Sequence, residues 1–167
     1  MAKLTAGLLV FRRASGTLEV LLAHPGGPFW ARKDDGAWSI PKGIPESGEA
    51  PFDTARREFI EETSLRAEGD FIALDPVKQP GGKTVHAWAV ECDLDIARFR
   101  SNTFKLEWPP RSGKVQDVPE IDRIAWFAAP QAAAKILKGQ RPILDELLRR
   151  LNIPATGCAP PGRPGAR

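Results

Sequence analysis

The chain has 167 residues, of which 42% are hydrophobic and 27% charged, and this length and balance suit one domain with a full hydrophobic core. Its net charge of +3, from 24 basic and 21 acidic residues, excludes a surface that binds nucleic acid through a global positive field. Because no apolar run of about 18 residues and no leader segment is found, we expect a soluble cytoplasmic protein without membrane contact. The distant Cys92 and Cys158 predict neither a disulfide framework nor a metal-ligand pair.

Two strands of a hairpin are the first predicted elements. Residues 4–12 and 18–24 are short apolar runs compatible with β-structure, and the Ser15-Gly16 step between them is a turn signal. Proline and glycine then interrupt both regular structures, which predicts a loop after the second strand.

This loop carries two aromatic residues, Phe29 and Trp30. Either they stack on a nucleobase or they cover the hydrophobic core, and we favour the second interpretation. His24, where the loop begins, is interpreted as a hydrogen-bonded residue at the end of a strand rather than as a catalyst.

Three glutamates dominate the next predicted element, a helix. Glu58, Glu61 and Glu62 are spaced i, i+3 and i+4, so they lie on one face of a helix. Neighbouring like charges repel, and this spacing therefore indicates a site for a hard divalent cation. The alternative is a solvated acidic face.

The other residues of this segment support a helix that buries its opposite face. Pro51 suits the first helical turn, although Ala50 before it is a poor N-cap. A buried stripe is predicted for Phe52, Ala55 and Phe59, which recur at helical spacing.

Residues 43–65 as a whole resemble the signature of the Nudix hydrolases, G-x5-E-x7-R-E-U-x-E-E-x-G-U, where U is a bulky apolar residue. Eight of the nine defined positions match over these 23 residues. Ser64 stands where the family usually has glycine; a small residue there, at the helix end, disturbs none of the expected ligands. The matching residues are Gly43, Glu49, Arg57, Glu58, Phe59, Glu61, Glu62 and Leu65.

The resemblance implies a fold and a metal site. It implies an α/β protein, a Nudix-type α/β/α sandwich with a mixed central sheet, and a Mg²⁺ cofactor that Mn²⁺ can replace. Gly43 and Glu49 are expected to orient the site, and Arg57 to brace the carboxylates. The implied metal ligands are Glu58, Glu61, Glu62 and the backbone carbonyl of Lys42.

The Pro41-Lys42-Gly43 step is similar to that of the diadenosine tetraphosphate hydrolase branch of the family. We expect the Lys42 side chain to meet a phosphate of the substrate. The alternative is a solvated loop lysine.

The second half of the chain begins with two strand-like runs, residues 70–76 and 85–92. Residues 101–120 are the least regular part of the domain and resemble a lid. Its predicted substrate-binding residues are Trp108, which would stack on a base, and Arg111 and Lys114, which would hold phosphate. The alternative is that these loop residues only cover the core.

A further glutamate, Glu120, stands six residues before Trp126, which resembles the second catalytic element of the RNA pyrophosphohydrolase and dinucleoside polyphosphate branches. The resemblance implies that Glu120 binds metal or acts as a base, and Glu107 and Asp117 are the substitutes. The expected catalytic set is Arg57, Glu61, Glu62 and Glu120.

Two helices and a tail complete the chain. Residues 131–137 and 141–151 have helical composition, and the second carries an apolar stripe that should pack on the sheet. We expect a single Nudix hydrolase domain over residues 1–153 and a disordered Pro/Gly-rich tail over 154–167.

Three functions compete at this stage. The first is Mg²⁺-dependent hydrolysis of a phosphoanhydride in a nucleoside diphosphate-linked substrate, either a dinucleoside polyphosphate or the triphosphorylated 5′ end of RNA. The second is a MutT-like pyrophosphohydrolase that removes damaged nucleoside triphosphates. The third is a nucleotide-sensing domain without catalysis. In each case the partner is a nucleotide, and the oligomeric state is left open.

Overall fold

The computed structural model describes residues 3–154, and the predicted disorder of the tail concerns residues that lie outside this range, apart from Pro154. The described part contains nine strands and three α-helices. The strands are β1 (Lys3–Ala14), β2 (Thr17–Pro25), β3 (Lys42–Gly43), β4 (Phe71–Ala73), β5 (Val77–Lys78), β6 (Lys83–Glu91), β7 (Thr103–Glu107), β8 (Val115–Pro119) and β9 (Ile121–Ala128). The helices are α1 (Pro51–Thr63), α2 (Ala129–Lys135) and α3 (Arg141–Arg150).

The central sheet is mixed, as predicted. Its main path runs β4-β6-β1-β2-β9, with β3 beside β1 and β5 beside β6. The pair of β1 and β6 is parallel, whereas β1 with β2, β2 with β9 and β4 with β6 are antiparallel. The predicted hairpin of the first two strands is therefore confirmed.

Strand β1 separates two hydrophobic cores, because successive side chains of a strand point to opposite faces. Leu8 and Val10 pack in the core that contains Phe59 of α1. Leu9 and Phe11 pack in the other core, which contains Leu144 of α3. Helices thus cover both faces of the sheet, and the α/β/α sandwich is confirmed.

Helix α1 has the ends that its sequence predicts. Pro51 occupies the first turn, and Ala50 makes no side-chain cap hydrogen bond. At the other end Ser64 adopts a left-handed conformation with φ of 60° and donates its N–H to the carbonyl of Ile60. Ala55 and Phe59 are fully buried, while Phe52 is half-buried against Phe71 and Trp88.

The prediction of an irregular segment over residues 101–120 was wrong. Strands β7 and β8 pair antiparallel as a separate two-stranded sheet, with Thr103 opposite Pro119 and Glu107 opposite Val115. Most residues of these strands are exposed, so the segment lacks the alternation of apolar and polar residues that identifies a half-buried strand.

The predicted stripe of α3 is confirmed. Ile143, Leu144, Leu147 and Leu148 are all buried beneath the helix. None of the helices in residues 3–154 is both long and apolar enough to cross a membrane.

Candidate active site

Arg57 lies at the centre of an ion-pair cluster on α1. Its Nε and Nη2 donate to the two carboxylate oxygens of Glu49 at 2.8 and 2.9 Å. Its Nη1 donates to Glu58 at 2.9 Å and to Glu61 at 3.0 Å. One guanidinium therefore holds three carboxylates in fixed positions, which is the arrangement expected of a brace.

Glu49 gains further hydrogen bonds because it lies just before the helix. The N–H of Glu46 and the hydroxyl of Thr54 donate to its Oε2 at 2.9 and 2.8 Å. Hydrogen bonds from Arg57 and Glu46 lower the pKa of Glu49 to about 2. The same contacts raise the pKa of Arg57 above its ordinary value, so both groups stay charged.

Glu62 and Lys42 form a half-buried part of the site. The backbone N–H of Lys42 donates to Glu62 Oε2 at 3.1 Å, and the ammonium of Lys42 donates to Ser39 Oγ at 3.3 Å. Burial lowers the pKa of the Lys42 ammonium. The side chain thus lies inside the site, unlike the solvated loop lysine that was the alternative interpretation.

Burial also disfavours the charged forms of two helix glutamates. It raises the pKa of Glu62 to about 8, with contributions in the same direction from the charges of Glu120 and Glu58 and an opposing one from Lys42. Burial likewise raises the pKa of Glu58, against the effect of Arg57. A cation placed among these carboxylates would restore their ionised forms.

Two glycines allow the strand β3 to approach its neighbours closely. A Cβ on Gly43 would overlap the carboxylate of Glu58, so only glycine leaves that carboxylate in place. A Cβ on Gly7, which pairs with Lys42, would come within 2.8 Å of the Lys42 Cβ. Gly43 therefore has a steric reason to occupy its position in the signature.

Glu120 is positioned by its backbone, between β8 and β9. Its N–H donates to the carbonyl of Asn102 at 3.0 Å, and its carbonyl accepts from the N–H of Gly26 at 2.9 Å. A side chain on Gly26 would overlap the carbonyl of Pro119. The Ser64 hydroxyl donates to the carbonyl of Arg100 at 2.9 Å, two residues before the Asn102 that holds Glu120. A family glycine at position 64 would lack this bond.

A cleft of about 200 Å³ opens beside Glu62 and Glu120. Its walls are mainly apolar, and Lys42 and Ser39 supply further polar groups. The lining residues are Ala23, Pro25, Trp30, Ala37, Ser39, Ile40, Lys42, Glu62, Glu120, Ile121 and Leu137.

Of the three late carboxylates, Glu120 lines this cleft and its two substitutes are not among the lining residues. Glu107 lies at the end of β7, with the N–H of Gly113 3.4 Å from its carboxylate, and Asp117 pairs with Lys105 at 2.7 Å. The geometry therefore favours Glu120 as the second acidic element.

The hairpin residues Trp108, Arg111 and Lys114 lie at or next to the turn between β7 and β8, and none is among the residues that line the cleft. Their substrate-binding role stays a prediction. Trp30 lines the cleft and also packs against the core, as the favoured interpretation expected, whereas the adjacent Phe29 is 60% exposed, so for Phe29 that interpretation was wrong.

Sequence reasoning identified His24 as a hydrogen-bonded strand-end residue, and the structure agrees. His24 is fully buried, with Nδ1 2.9 Å from Asp122 and Nε2 2.6 Å from the carbonyl of Lys33. The sequence did not predict that Ile40, Leu137 and Ala23 form an apolar wall of the cleft, because these residues come from separate segments and no local pattern connects them.

Comparison with known protein families matches the NUDIX domain over residues 1–147. The chain belongs to the NUDIX domain family. It is a Nudix hydrolase, as the signature indicated. A search of curated proteins gave no match.

Several solved Nudix structures have a similar fold. The NUDIX domain of Shewanella oneidensis NrtR complexed with ADP ribose aligns with a TM-score of 0.63 and 16% identity over 90% of this chain and 89% of that one. A C. elegans Ap4A hydrolase complex aligns with a TM-score of 0.61 and 20% identity, over 90% of this chain and 98% of that one. A NUDIX hydrolase from Listeria monocytogenes aligns with a TM-score of 0.60 and 18% identity, over 89% of this chain and 94% of that one. At these identities the likeness concerns the fold alone.

Nudix hydrolases use a divalent metal, and the donor set of this chain fits one. Within residues 3–154 no group of three or more histidine, cysteine, aspartate or glutamate side chains is already gathered into a ligand cage. Mg²⁺ does not need one, because it keeps several waters and is held by one or two carboxylates together with substrate phosphates. Glu58 and Glu62, whose pKa values are raised by burial, and Glu120, whose charge contributes to both shifts, provide suitable oxygen donors.

Proposed function

We propose that this Nudix hydrolase cleaves a phosphoanhydride bond in a nucleoside diphosphate-linked substrate, in the presence of Mg²⁺. The proposed substrate is a dinucleoside polyphosphate or a triphosphorylated 5′ end of RNA. One observation carries the proposal: the half-buried Glu62, Lys42 and Glu120 line the same mainly apolar cleft. A phosphate chain can thus be held by Lys42 and by Mg²⁺ on the glutamates, while a base enters the apolar part.

The similar structures support this class of substrate. One of them binds ADP ribose and another is an Ap4A hydrolase. Both names describe molecules in which a nucleoside is linked through a phosphoanhydride. The sequence step Pro41-Lys42-Gly43 further favours the dinucleoside polyphosphate branch.

Each part of the site has a proposed role in this reaction. Glu58, Glu61, Glu62, Glu120 and the Lys42 carbonyl would hold Mg²⁺, which neutralises charge on the phosphate oxygens and lowers the pKa of a bound water. Arg57 and Glu49 keep the carboxylates in orientation, and Gly43 leaves space for Glu58.

Proton transfer and substrate contacts fall to the remaining groups. Glu120, or one of the helix glutamates, orients the attacking water and accepts its proton. The ammonium of Lys42 is assigned to a phosphate oxygen, because Lys42 lines the cleft and its Nζ donates to Ser39, another lining residue. Trp108, Arg111 and Lys114 would add contacts from the hairpin if it closes over the substrate.

The test is product analysis on a panel of substrates. The purified protein is incubated with Mg²⁺ and diadenosine tetraphosphate, 8-oxo-dGTP, ADP-ribose or triphosphorylated RNA, and the products are identified by mass. We expect ATP and AMP from diadenosine tetraphosphate. The Glu62→Gln variant should lose at least about 100-fold in kcat, since it removes one proposed ligand and keeps the shape of the side chain.

Other outcomes would select among the competing functions. Turnover of 8-oxo-dGTP alone would favour the MutT-like function. Nucleotide binding without turnover of any substrate would favour the sensing domain. Near wild-type turnover by Glu62→Gln would overturn the proposed role of that glutamate.

A further inference from the structure

Phe29 is a large exposed aromatic residue whose ring contacts Trp30, a residue that lines the cleft. Its side chain is 60% exposed, although the next residue, Trp30, is half-buried and lines the cleft. Exposed aromatic rings are common binding platforms for bases, because every base has a flat π-face. Phe104 on β7 is also exposed, at 38%, but neither it nor its sequence neighbours line the cleft.

The two rings are oriented for two different partners. The ring planes of Phe29 and Trp30 are 85° apart, with centroids separated by 5.2 Å. One flat base cannot stack on both of these perpendicular surfaces. A base inside the cleft therefore packs against the Trp30 side, and the ring of Phe29 is left for another planar group outside it.

The segment that carries both rings is held in place by three hydrogen bonds. The N–H of Trp30 donates to the carbonyl of Gly27 at 3.2 Å, and the N–H of Lys33 donates to the carbonyl of Trp30 at 2.9 Å. The carbonyl of Lys33 then accepts a hydrogen bond from Nε2 of the buried His24, at 2.6 Å. Phe29 is thus presented by a folded loop, which reduces the conformational entropy lost on binding.

Lys33 adds a positive charge to this surface. Its ammonium lies 3.7 Å from the centroid of the Phe29 ring and 5.0 Å from that of Trp30. Among the ion pairs found in residues 3–154, none includes Lys33. Phe29 stays 60% exposed with this ammonium over its ring, so part of the ring surface remains accessible for stacking, and the cation offers a partner for a phosphate.

The size of the cleft points the same way. Its volume of about 200 Å³ lies below the range of roughly 300–1,000 Å³ that encloses a drug-sized ligand. It therefore holds part of a dinucleoside substrate, and the second nucleoside must lie outside.

From these observations we infer that Phe29 and Lys33 form a second base-binding surface, on which the outer nucleobase of a dinucleoside polyphosphate stacks. The inference rests on the proposed function, because it assigns a position to the second base of that substrate. The surface distinguishes substrates with two bases from those with one, and the phosphate chain connects it to the acidic site.

The decisive experiment compares two ligands that carry the same number of phosphates. Dissociation constants for diadenosine tetraphosphate and for adenosine 5′-tetraphosphate are measured with Mg²⁺ by calorimetry, in the Glu62→Gln background so that the ligands are not consumed. Phe29→Leu keeps an apolar side chain and removes the aromatic face. We expect it to weaken binding of diadenosine tetraphosphate about 10-fold and to leave adenosine tetraphosphate unchanged.

Two further variants serve as controls. Phe29→Tyr retains the ring and should bind both ligands as the parent does. Phe104→Leu removes another exposed phenylalanine, away from the cleft lining, and should change neither constant.

The outcomes separate this inference from the proposed function. An equal loss for both ligands, no loss for either, or no binding of diadenosine tetraphosphate at all would overturn the second surface. If the wild-type protein fails to hydrolyse diadenosine tetraphosphate but the selective loss is observed, the surface stands and the proposed reaction does not. If it hydrolyses this substrate and Phe29→Leu has no effect, only the surface fails.

Discussion

Glu62 is a carboxyl group whose position disfavours its own charge. Burial, aided by Glu120 and Glu58, raises its pKa to about 8. Between the ordinary value of 4.5 and about 8 the folded chain therefore binds a proton that the unfolded chain has released. The metal-free protein must lose stability as pH rises through this window, and a bound cation offsets the loss.

The Glu62→Gln variant tests this effect because it removes the ionisable group and keeps its size. In EDTA at pH 9 we expect the variant to be more stable than the wild type by on the order of 2 kcal/mol, and nearly equal to it at pH 4. Urea unfolding at the two pH values measures the difference. Glu61→Gln serves as the comparison, since it makes the same change on the same helix at a carboxylate that is 47% exposed. A Glu62→Gln variant that is less stable at pH 9 would contradict the assignment.

Gly43 is the residue at which the signature has a steric requirement. Its missing side chain makes room for the carboxylate of Glu58, so Gly43→Ala should displace that carboxylate. We expect kcat to fall about 10- to 100-fold while the circular dichroism spectrum stays that of the folded protein.

A matched glycine controls for the substitution itself. At Gly139 a new Cβ would meet its nearest neighbour, Pro80 Cδ, at 3.3 Å, which a small shift relieves. Gly139→Ala should therefore retain activity. Wild-type kcat in Gly43→Ala would mean that Glu58 is free to move without consequence for the reaction.

At the scale of the element, α1 is joined to the loop before it by a charged cluster. The pKa of Glu49 is lowered to about 2, and the hydrogen bonds from Arg57 are the largest cause. A carboxylate with a depressed pKa stabilises the fold above its unfolded value of 4.5 and loses that contribution as pH falls toward 2.

We therefore expect Glu49→Gln to melt at a lower temperature than the wild type at pH 7. The gap should narrow as pH decreases from 4.5, because the wild-type carboxylate then becomes protonated as well. Thermal melts at pH 7, 4.5 and 3 measure it. A gap that is the same at all three values would indicate that shape, and not charge, carries the effect of Glu49.

The elements that the sequence predicted are those with a local pattern. The acidic face of α1, its proline start and the stripe of α3 all follow from helical spacing within one segment, and the structure contains them. The β7–β8 hairpin has no such pattern, since its strands are mostly exposed and pair with each other away from the main sheet.

The cleft could not be predicted for a different reason. Lys42, Glu62 and Glu120 belong to motifs that sequence reasoning identified, but Trp30, Ile40 and Leu137 meet them only after the chain has folded. Packing contacts between distant segments depend on tertiary structure, which a single sequence does not display.

For the whole molecule, the sheet keeps two cores apart. Leu147 of α3 is fully buried in the core opposite α1. Leu147→Ala should reduce the free energy of unfolding by about 2–5 kcal/mol, because it leaves a cavity, while kcat at low temperature stays near wild type. Urea unfolding and initial rates on the same preparation provide the two measurements.

The exposed Arg149 on the same helix gives the comparison. Arg149→Ala should change the unfolding free energy by no more than about 0.5 kcal/mol. A large loss of kcat in Leu147→Ala, at a temperature where the protein is folded, would show that the two faces of the sheet are coupled.

The walls of the cleft and its acids come from different stretches of chain. Glu62 belongs to α1, whereas Trp30 and Ile40 lie in the connection between β2 and β3, and Leu137 lies between α2 and α3. Substitutions in those connections can change the bound molecule without altering the helix that carries the acids. In evolutionary terms, a descendant of this gene can acquire a new substrate while it inherits the acidic residues of α1 unchanged.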